Sequence, residues 1–477
     1  MFLGRLKDTA ARELKSAVND VVIAVPVWYT EVQRRAVMDA ADIAGLNALR
    51  LINDTTATAL GYGITKTDLP PIEEPPRYIA FVDIGHSDYS VSIVAFNKGQ
   101  LIVKSTAYDR HFGGRDLDYA LVQHFAAEFK TKYKIDVLGN KKALFRLSAA
   151  VEKLKKILSA NAVAPLSVES IMEDIDASSS LSREDFEALI APLLERTISP
   201  LERALAEAGI SKDDIEAVEL VGGSTRVPAL KNRIQDFFGR PLSFTTNQDE
   251  AIARGATLAC AMLSPVFKVR EFTTIDTQLF PIKFVWEQSA DAEASEGTEL
   301  VAYEKGNVVP STKVLSFSRN SPFELEAVYA DPENLPGGIN SWIGKVAVKN
   351  LSPPTDGTKQ QVKVKAHLSQ SGLLTFTGAT LYKDAPEEEE PVVEAMETDA
   401  PAVEGEAAPA PPAKKAKKSI KTVLPISVAG LALDVSMVNQ YKEVEGQMAA
   451  SDKLVLETEV RSVCGFMEAW RSEERRV

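Results

Sequence analysis

The sequence predicts a multidomain protein in which an α/β region is followed by a β-rich region and then by a helical one. Residues 20–265 alternate buried apolar runs with helical stretches, and residues 267–382 show short alternating runs between Pro and Gly turns. Residues 431–460 have helical character. The length of 477 residues suits about three domains of roughly 100–200 residues each.

Periodicity and turn residues predict the elements of the α/β region one by one. Apolar β-branched runs indicate buried strands, and a stretch with helical spacing that stops at Gly45 indicates a helix. The turn residues at 84–88 separate two strands and predict a hairpin. We therefore predict strands at 20–27, 49–52, 78–83, 89–96 and 217–221, and helices at 31–44, 55–60, 116–160, 183–208 and 227–238.

The remaining chain divides into three further regions. The alternating runs of 267–382 predict a β-sandwich, which follows an α/β domain at 1–265. Residues 383–418 are rich in Pro, Ala and Glu and are predicted to be a disordered acidic linker. Residues 419–477 are predicted to begin a helical bundle, with no amphipathic pattern after Arg461.

Composition and charge exclude several classes of protein. Two cysteines and four scattered histidines supply neither a disulfide framework nor zinc-ligand spacing, which favours a reducing, cytoplasmic location. No apolar run approaches the roughly 18 residues of a membrane span. The net charge is −13, and residues 383–413 alone contribute −9, so the chain has no general basic surface for nucleic acid.

An acidic residue followed by glycine at a strand end is a natural phosphate or metal site. Asp83 supplies a carboxylate there, and Gly85 lets the backbone come close to a phosphoryl group. An ordinary hairpin turn explains the same residues.

A glycine-rich turn precedes the helix predicted at 227–238. In the run Gly222, Gly223, Ser224, Thr225 and Arg226, backbone N–H groups would point at an anion. A tight turn with Ser or Thr as the N-cap is the alternative.

The helix predicted around 152–159 places charged and hydroxyl side chains on one face. Glu152, Lys155, Lys156 and Ser159 follow the spacing i, i+3, i+4 and i+7. A solvated face explains this pattern as well.

The order of these motifs resembles heat-shock protein 70-type chaperones over most of residues 18–460. The segment 81–87, Phe-Val-Asp-Ile-Gly-His-Ser, departs from the glycine-rich loop of ordinary members and resembles the heat-shock protein 110 (Sse) class. The run 152–161 and the acidic insertion point the same way. The remaining matching motifs lie at 23–26, 33–34, 43–46, 51–54 with Ala57, 61–63, 111–116, 220–226 and 247–251.

The resemblance implies a partial actin-like (ribonuclease H-like) nucleotide-binding domain, a β-sandwich peptide-binding domain and the start of a helical bundle. It implies ATP or ADP as cofactor, with Mg²⁺ held through the nucleotide and waters rather than by direct protein ligands. Asp83 and Gly85 would face the phosphates, and Asp54 would lie near the metal. The adenosine and connecting-motif positions would be Glu152, Lys155, Ser159, Gly222, Gly223, Ser224, Arg226 and Asp249.

Two departures from the family pattern lower the expected ATPase activity. Nothing before Val21 resembles the family's first phosphate loop and its lysine, and Asp88 stands where ordinary members carry a catalytic threonine. A carboxylate there would repel a γ-phosphate. We expect little or no ATP hydrolysis, and we expect the chain to be a truncated form of a family member.

The function expected from the resemblance is that of a co-chaperone. It would bind ATP, promote nucleotide exchange on a heat-shock protein 70 partner and hold unfolded polypeptides during folding and stress. The alternatives are a nucleotide-independent holdase based on 267–382 and an actin-like-fold small-molecule kinase. The basic run Lys414–Lys418 is either a nuclear import signal, giving a nuclear fraction, or a counterweight to the acidic linker.

Overall fold

A computed structural model describes residues 1–288, 297–353, 360–384 and 419–474 of the chain. Within these ranges an α/β unit, a β-sandwich and a long C-terminal helix follow one another. The predicted order of an α/β, a β and a helical region is therefore confirmed. No helix in the described ranges is long and apolar enough to span a bilayer.

A mixed six-stranded sheet forms the centre of the α/β unit. Its strands are β3 (Arg77–Ile84), β4 (Tyr89–Asn97), β5 (Gln100–Asp109), β8 (Ile215–Val221), β9 (Thr273–Thr277) and β12 (Val308–Val309). They lie in the order β12-β9-β5-β4-β3-β8. The strands β3, β4 and β5 form an antiparallel meander, and β8 lies parallel to β3.

Helices cover both faces of this sheet, which is why its strands are apolar on both sides. Along β3, Ala80, Val82 and Ile84 face one core cluster, whereas Ile79 and Phe81 face another. The first face carries α4 (Gly114–Lys132), α5 (Lys141–Leu158), α6 (Arg183–Leu194), α7 (Ile198–Ala208) and α8 (Pro228–Phe238); the second carries α3 (Asp54–Thr65) and α9 (Ala251–Leu263).

Local signals explain where several helices begin and end. The side chain of Asn140 accepts hydrogen bonds from two backbone N–H groups at the start of α5. Helix α8 starts with Pro228, and Gly239 ends it with a left-handed φ of 66°.

The first part of the chain adds a sheet of two parallel strands, and a separate β-hairpin completes the α/β unit. Strands β1 (Asp20–Val25) and β2 (Asn47–Asn53) are joined by α2 (Glu31–Ile43), which opens with a capping box between Thr30 and Gln33. Helix α1 (Phe2–Leu14) precedes them, and β6 (Val163–Met172) pairs with β7 (Ile175–Ser182).

The β-sandwich consists of a five-stranded and a four-stranded antiparallel sheet around one apolar cluster. The strands are β10 (Ile282–Trp286), β11 (Glu299–Tyr303), β13 (Ser311–Ser318), β14 (Phe323–Tyr329), β15 (Trp342–Val348), β16 (Gln361–Leu368), β17 (Leu374–Asp384), β18 (Ser419–Leu424) and β19 (Ile426–Gly430). The five-stranded order is β11-β10-β14-β15-β19, and the four-stranded order is β13-β16-β17-β18.

Three boundaries differ from those expected. Strands β9 and β12 complete the six-stranded sheet instead of the sandwich. The expected linker loses Lys383 and Asp384 to β17, and its other residues, including Lys414–Lys418, lie outside the described ranges. Residues 419–430 do not begin a helical bundle, because β18 pairs with β17 and β19 pairs with β15.

The C-terminal helix α10 (Val435–Glu474) starts later and continues further than the sequence predicts. No amphipathic pattern follows Arg461, but a helix that is already nucleated extends by one backbone hydrogen bond for each residue added. Lys442 on α10 forms an ion pair with Asp42 of α2, 2.8 Å apart, so the helix contacts the α/β unit.

The sandwich contacts the α/β unit through the N-terminus of α2. The backbone N–H of Glu31 donates to the hydroxyl of Tyr329, and Glu31 Oε2 accepts from the backbone N–H of Leu374. Arg35 donates to both Glu31 and the Leu374 carbonyl. Burial raises the pKa of Glu31 to about 7, although the Arg35 charge opposes the shift.

We predict that Gly255→Ala strongly destabilises the α/β unit. A methyl group at Gly255 on α9 would lie 1.8 Å from the Ala57 carbonyl oxygen of α3, so the two helices would have to separate. We expect a loss of about 3 kcal/mol in the free energy of unfolding, measured by urea denaturation.

Gly446→Ala is the matched control for Gly255→Ala. Gly446 also lies within a helix, but nothing approaches the position of its Cβ. Its replacement should be neutral or stabilising by up to about 1 kcal/mol. Equal effects of the two substitutions would contradict the close contact between α3 and α9.

Candidate functional site

Two loops meet where the parallel strands β3 and β8 end. The loop after β3 contains Gly85, and the loop after β8 contains Gly222, which has a φ of 83°. A Cβ at Gly222 would lie 2.3 Å from the Ile84 carbonyl oxygen and 2.5 Å from Asp83 Oδ1. Only glycine therefore allows this approach, which brings together two motifs that are far apart in sequence.

The start of α4 and a lysine of α5 form the next side of this cleft. The Gly85 carbonyl oxygen accepts hydrogen bonds from the Gly114 N–H at 2.9 Å and from Ser224 Oγ at 2.8 Å. Lys155 Nζ donates to the Gly114 carbonyl oxygen at 3.0 Å and pairs with Asp118 at 2.8 Å. Main-chain groups and small side chains thus make these contacts, and groups of this kind can bind an anionic ligand.

Three carboxylates beside these loops, those of Asp54, Asp83 and Asp88, interact electrostatically. Burial, together with the charge of Asp88, raises the pKa of Asp83 to about 7. The pKa of Asp54 is raised well above its usual range, first by burial and then by Asp83. Bringing a cation to the cluster would relieve this repulsion and favour the ionised forms.

The segment after β1 interacts with two of these carboxylates. The Val27 main chain slightly lowers the pKa of Asp54 against the larger effects of burial and of Asp83, and the Trp28 indole N–H donates to Asp88 Oδ2 at 3.0 Å. Arg34 then donates to the carbonyls of Val27 and of Ser371 in the sandwich. Trp28 also packs against the apolar cluster of the sandwich, so the segment contacts both the acids and the second domain.

The far edge of the cleft is held by an ion pair. Arg226 donates to Asp249 Oδ2 at 2.6 Å and to the Gln248 side chain at 3.2 Å. The Gly222 N–H donates to the Gln248 carbonyl, so this segment also fixes the glycine turn. About half of the Arg226 and Asp249 side chains is exposed, so both can reach a ligand.

The side chains on the predicted charged face of α5 lie in different environments. Lys155 is buried, with 8% exposure, and lies in the cleft wall, so the alternative of a uniformly solvated face is wrong for this residue. Glu152 is exposed and pairs with Lys156, while its charge interacts with Lys155 and His86. Ser159 caps the helix: its hydroxyl donates to the Lys156 carbonyl, and its backbone N–H donates to the Lys155 carbonyl at 3.2 Å. Within the described ranges its side chain forms no hydrogen bond with another predicted site residue.

Most of the residues predicted for the site are brought together. The cleft assembles Asp54, Asp83, Gly85, Lys155, Gly222, Gly223, Ser224, Arg226 and Asp249.

Sequence reasoning gave no role to Gly113, Gly114, Asp118 or Trp28. A Cβ at Gly113 would lie 2.5 Å from the His86 carbonyl oxygen. The two consecutive glycines at the start of a helix are the sequence feature that could have indicated this close contact.

The residues present fit a nucleotide with a hydrated magnesium ion. Glycines leave room beside the backbone, Lys155 and Arg226 supply positive charge, and the acids accept hydrogen bonds from metal-bound waters. No group of three or more potential ligands within the described ranges is arranged to hold a metal ion directly.

We predict that Asp83→Asn stabilises the ligand-free protein increasingly as the pH rises from about 4 to about 7. The folded pKa is about 7 and the usual value is 3.8, so the folded form binds more protons across this window. Its stability therefore falls as the pH rises, and the amide removes this cost.

Urea denaturation of both forms at several pH values tests this prediction. The advantage of Asp83→Asn should level off above about pH 7, where the carboxyl is ionised in both states. Asp236→Asn, at an exposed position of α8, is the control and should leave the profile parallel to that of the unmodified protein. A pH-independent difference between Asp83→Asn and the unmodified protein would contradict the raised pKa.

Comparison with known proteins agrees with this architecture. The family model described as Hsp70 protein matches residues 1–467. The heat shock protein hsp88 of Neurospora crassa is 51% identical over 96% of this chain and 64% of its own length. The Sse-type heat shock protein homologs of Naumovozyma castellii and Saccharomyces cerevisiae are each 46% identical over 97% of this chain.

The chain spans about two thirds of the length of these relatives, with 66% and 65% of the two Sse-type proteins covered. The family match extends over both the α/β unit and the sandwich. The chain belongs to the Hsp70 family, and its similarity to hsp88 and to the Sse-type homologs places it in the heat-shock protein 110 class.

Proposed function

We propose that the protein is a co-chaperone that binds ATP or ADP with Mg²⁺ and uses the nucleotide as a conformational clamp. Its partners would be a heat-shock protein 70 chaperone, whose nucleotide exchange it promotes, and unfolded polypeptides. The observation that carries the proposal is the cleft in which Asp83, Gly222 and Lys155 converge from three separate elements.

Each part of the cleft has a role in holding the nucleotide. Asp54 and Asp83 would orient waters on the magnesium ion, whose charge offsets that of the phosphates. The glycines at 85, 222 and 223 give the phosphates access to the main chain. The nucleoside would lie toward α5 and the Arg226–Asp249 pair, with Glu152, Lys155, Ser159 and Ser224 along this side.

A clamp requires that the cleft and the sandwich be physically connected. Trp28 donates a hydrogen bond to Asp88, and Arg34 donates to the carbonyls of Val27 and of Ser371 in the sandwich. Movement of the carboxylates on ligand binding would therefore displace groups that also contact the sandwich. This connection supports nucleotide control of the second domain.

Binding is favoured over rapid turnover. Asp88 lies beside Asp83 and adds negative charge where a γ-phosphate would be placed. Phosphoryl transfer depends on neutralising that charge, so an additional carboxylate works against it. We also propose a cytoplasmic location. This part of the proposal rests only on the small number of cysteines in the chain.

A nucleotide-independent holdase is the second candidate, because the sandwich has an apolar cluster of its own. Suppression of client aggregation that is the same with and without nucleotide would favour it.

We predict that Gly222→Ala lowers nucleotide affinity by at least about tenfold, because a methyl group would collide with Asp83 and separate the two loops. Calorimetric titration with Mg-ADP and Mg-ATP measures the effect. Gly239→Ala is the matched control, since Gly239 also has a positive φ but nothing approaches its Cβ position. Unchanged binding by a folded Gly222→Ala protein would contradict the site.

We predict that the protein speeds ADP release from a heat-shock protein 70 chaperone by at least about tenfold, a difference of roughly 1.4 kcal/mol in the barrier. Stopped-flow release of fluorescent ADP from the partner measures the rate, and Gly222→Ala should be much less active than Gly239→Ala. Tight nucleotide binding without acceleration would reject the exchange function but leave the nucleotide site standing.

A further inference from the structure

The outer face of the four-stranded sheet carries more lysines than acids. Lys363 and Lys365 point outward from β16, and Lys421 points outward from the edge strand β18. The other outward positions on this sheet are hydroxyl, amide, aromatic or aliphatic residues, with one histidine and, where β17 ends, one acid: Thr312, Val314, Ser316, Ser318, Gln361, His367, Thr375, Thr377, Thr380, Tyr382, Asp384, Ser419 and Val423. We call this surface the lysine face.

Two of these lysines share one aromatic ring. Lys363 Nζ lies 4.5 Å and Lys421 Nζ 5.7 Å from the centroid of the Tyr382 ring, so three adjacent strands contribute to one cationic group. Each ammonium group is attracted to the ring, but the two ammonium groups repel each other. An anion placed between them would be attracted by both.

The opposite sheet of the sandwich arranges its outward lysines differently. Lys283 pairs with Glu299 at 2.8 Å, and Lys345 pairs with Glu324 across neighbouring strands. In the described part of the chain, no such ion pair involves Lys363, Lys365 or Lys421. The lysine face therefore retains an unbalanced positive charge in a protein whose net charge is −13.

The chain itself carries the complementary charge at the edge of this face. Residues 385–418 connect the end of β17 to the start of β18, which are paired neighbours with Asp384 opposite Ser419. Residues 385–413 contain nine acidic residues and no basic one. The first of them, Glu387, is three residues beyond β17, which is within about 10 Å of extended chain.

We propose that the lysine face is a binding surface for acidic polypeptide and that its occupant is the chain's own segment 387–399. Covalent attachment at the edge of the sheet gives this segment an effective concentration of the order of millimolar. Individual exposed ion pairs are weak and sensitive to salt. Several of them acting together on a tethered segment are sufficient for occupancy, and an acidic segment of another protein would have to compete with it.

Lysine acylation followed by mass spectrometry tests the proposal on the whole chain. The comparison is with a variant of the same length in which the nine acids of 385–413 are changed to their amides. We expect acylation of Lys363, Lys365 and Lys421 to be about fivefold faster in the variant at low salt and similar in both proteins at about 0.5 M NaCl. Lys153, exposed on α5, is the control and should react equally in both.

Adding a peptide that covers residues 384–407 distinguishes binding of the chain's own segment from binding of acidic polypeptides in other molecules. Added to the neutral variant, it should slow acylation of the three lysines, whereas the same peptide with amides in place of its acids should not. Equal lysine reactivity in both proteins without peptide would overturn the proposed occupant. If the peptide nevertheless protects the lysines, the face binds acidic partners from other molecules; if it does not, the proposal fails entirely.

Discussion

The approach of the β8 loop to the end of β3 is the contact on which the candidate site depends. Parallel pairing of the two strands brings their carboxyl ends to one edge of the sheet, and Gly222 lets the backbones touch there. Ser224 and Gly114 then bond to the same Gly85 carbonyl, and Lys155 bonds to Gly114. This close contact thus lies beside a hydrogen-bond network that joins Ser224, the start of α4 and Lys155 of α5.

One short turn joins this edge of the sheet to the sandwich. Trp28 donates to Asp88, and Arg34 donates to the carbonyls of both Val27 and Ser371. The neighbouring Glu31 is buried between Tyr329, Arg35 and Leu374. Polar groups therefore carry much of the domain contact, so its strength depends on protonation and hydration as well as on buried area.

The sequence predicted those parts of the molecule that depend on local pattern. Strands buried on both faces appear as apolar runs, and the order of the glycine motifs indicated the cleft around Asp83 and Gly222. The resemblance placed Lys155 at the site, but its hydrogen bond to Gly114 and its ion pair with Asp118 were not predicted, because helical spacing does not show which distant groups a helix face contacts. The same holds for the hydrogen bond from Trp28 to Asp88, which lie 60 residues apart. Strands β18 and β19 were not predicted from the sequence. Each pairs with a strand, β17 or β15, that precedes the acidic segment, and a local pattern does not show such distant pairing.

The route of the chain through β18 and β19 has a mechanical consequence. Only Pro425 separates these strands, and they occupy edge positions in the two different sheets of the sandwich. Helix α10 follows β19 after four residues. Within the sandwich, a pull on α10 would therefore load the Gly430–Gly344 pair first and open the β15–β19 ladder one bond at a time. Peeling of this kind requires less force than shearing a whole strand, so the helix is attached to the sandwich through its most easily opened edge.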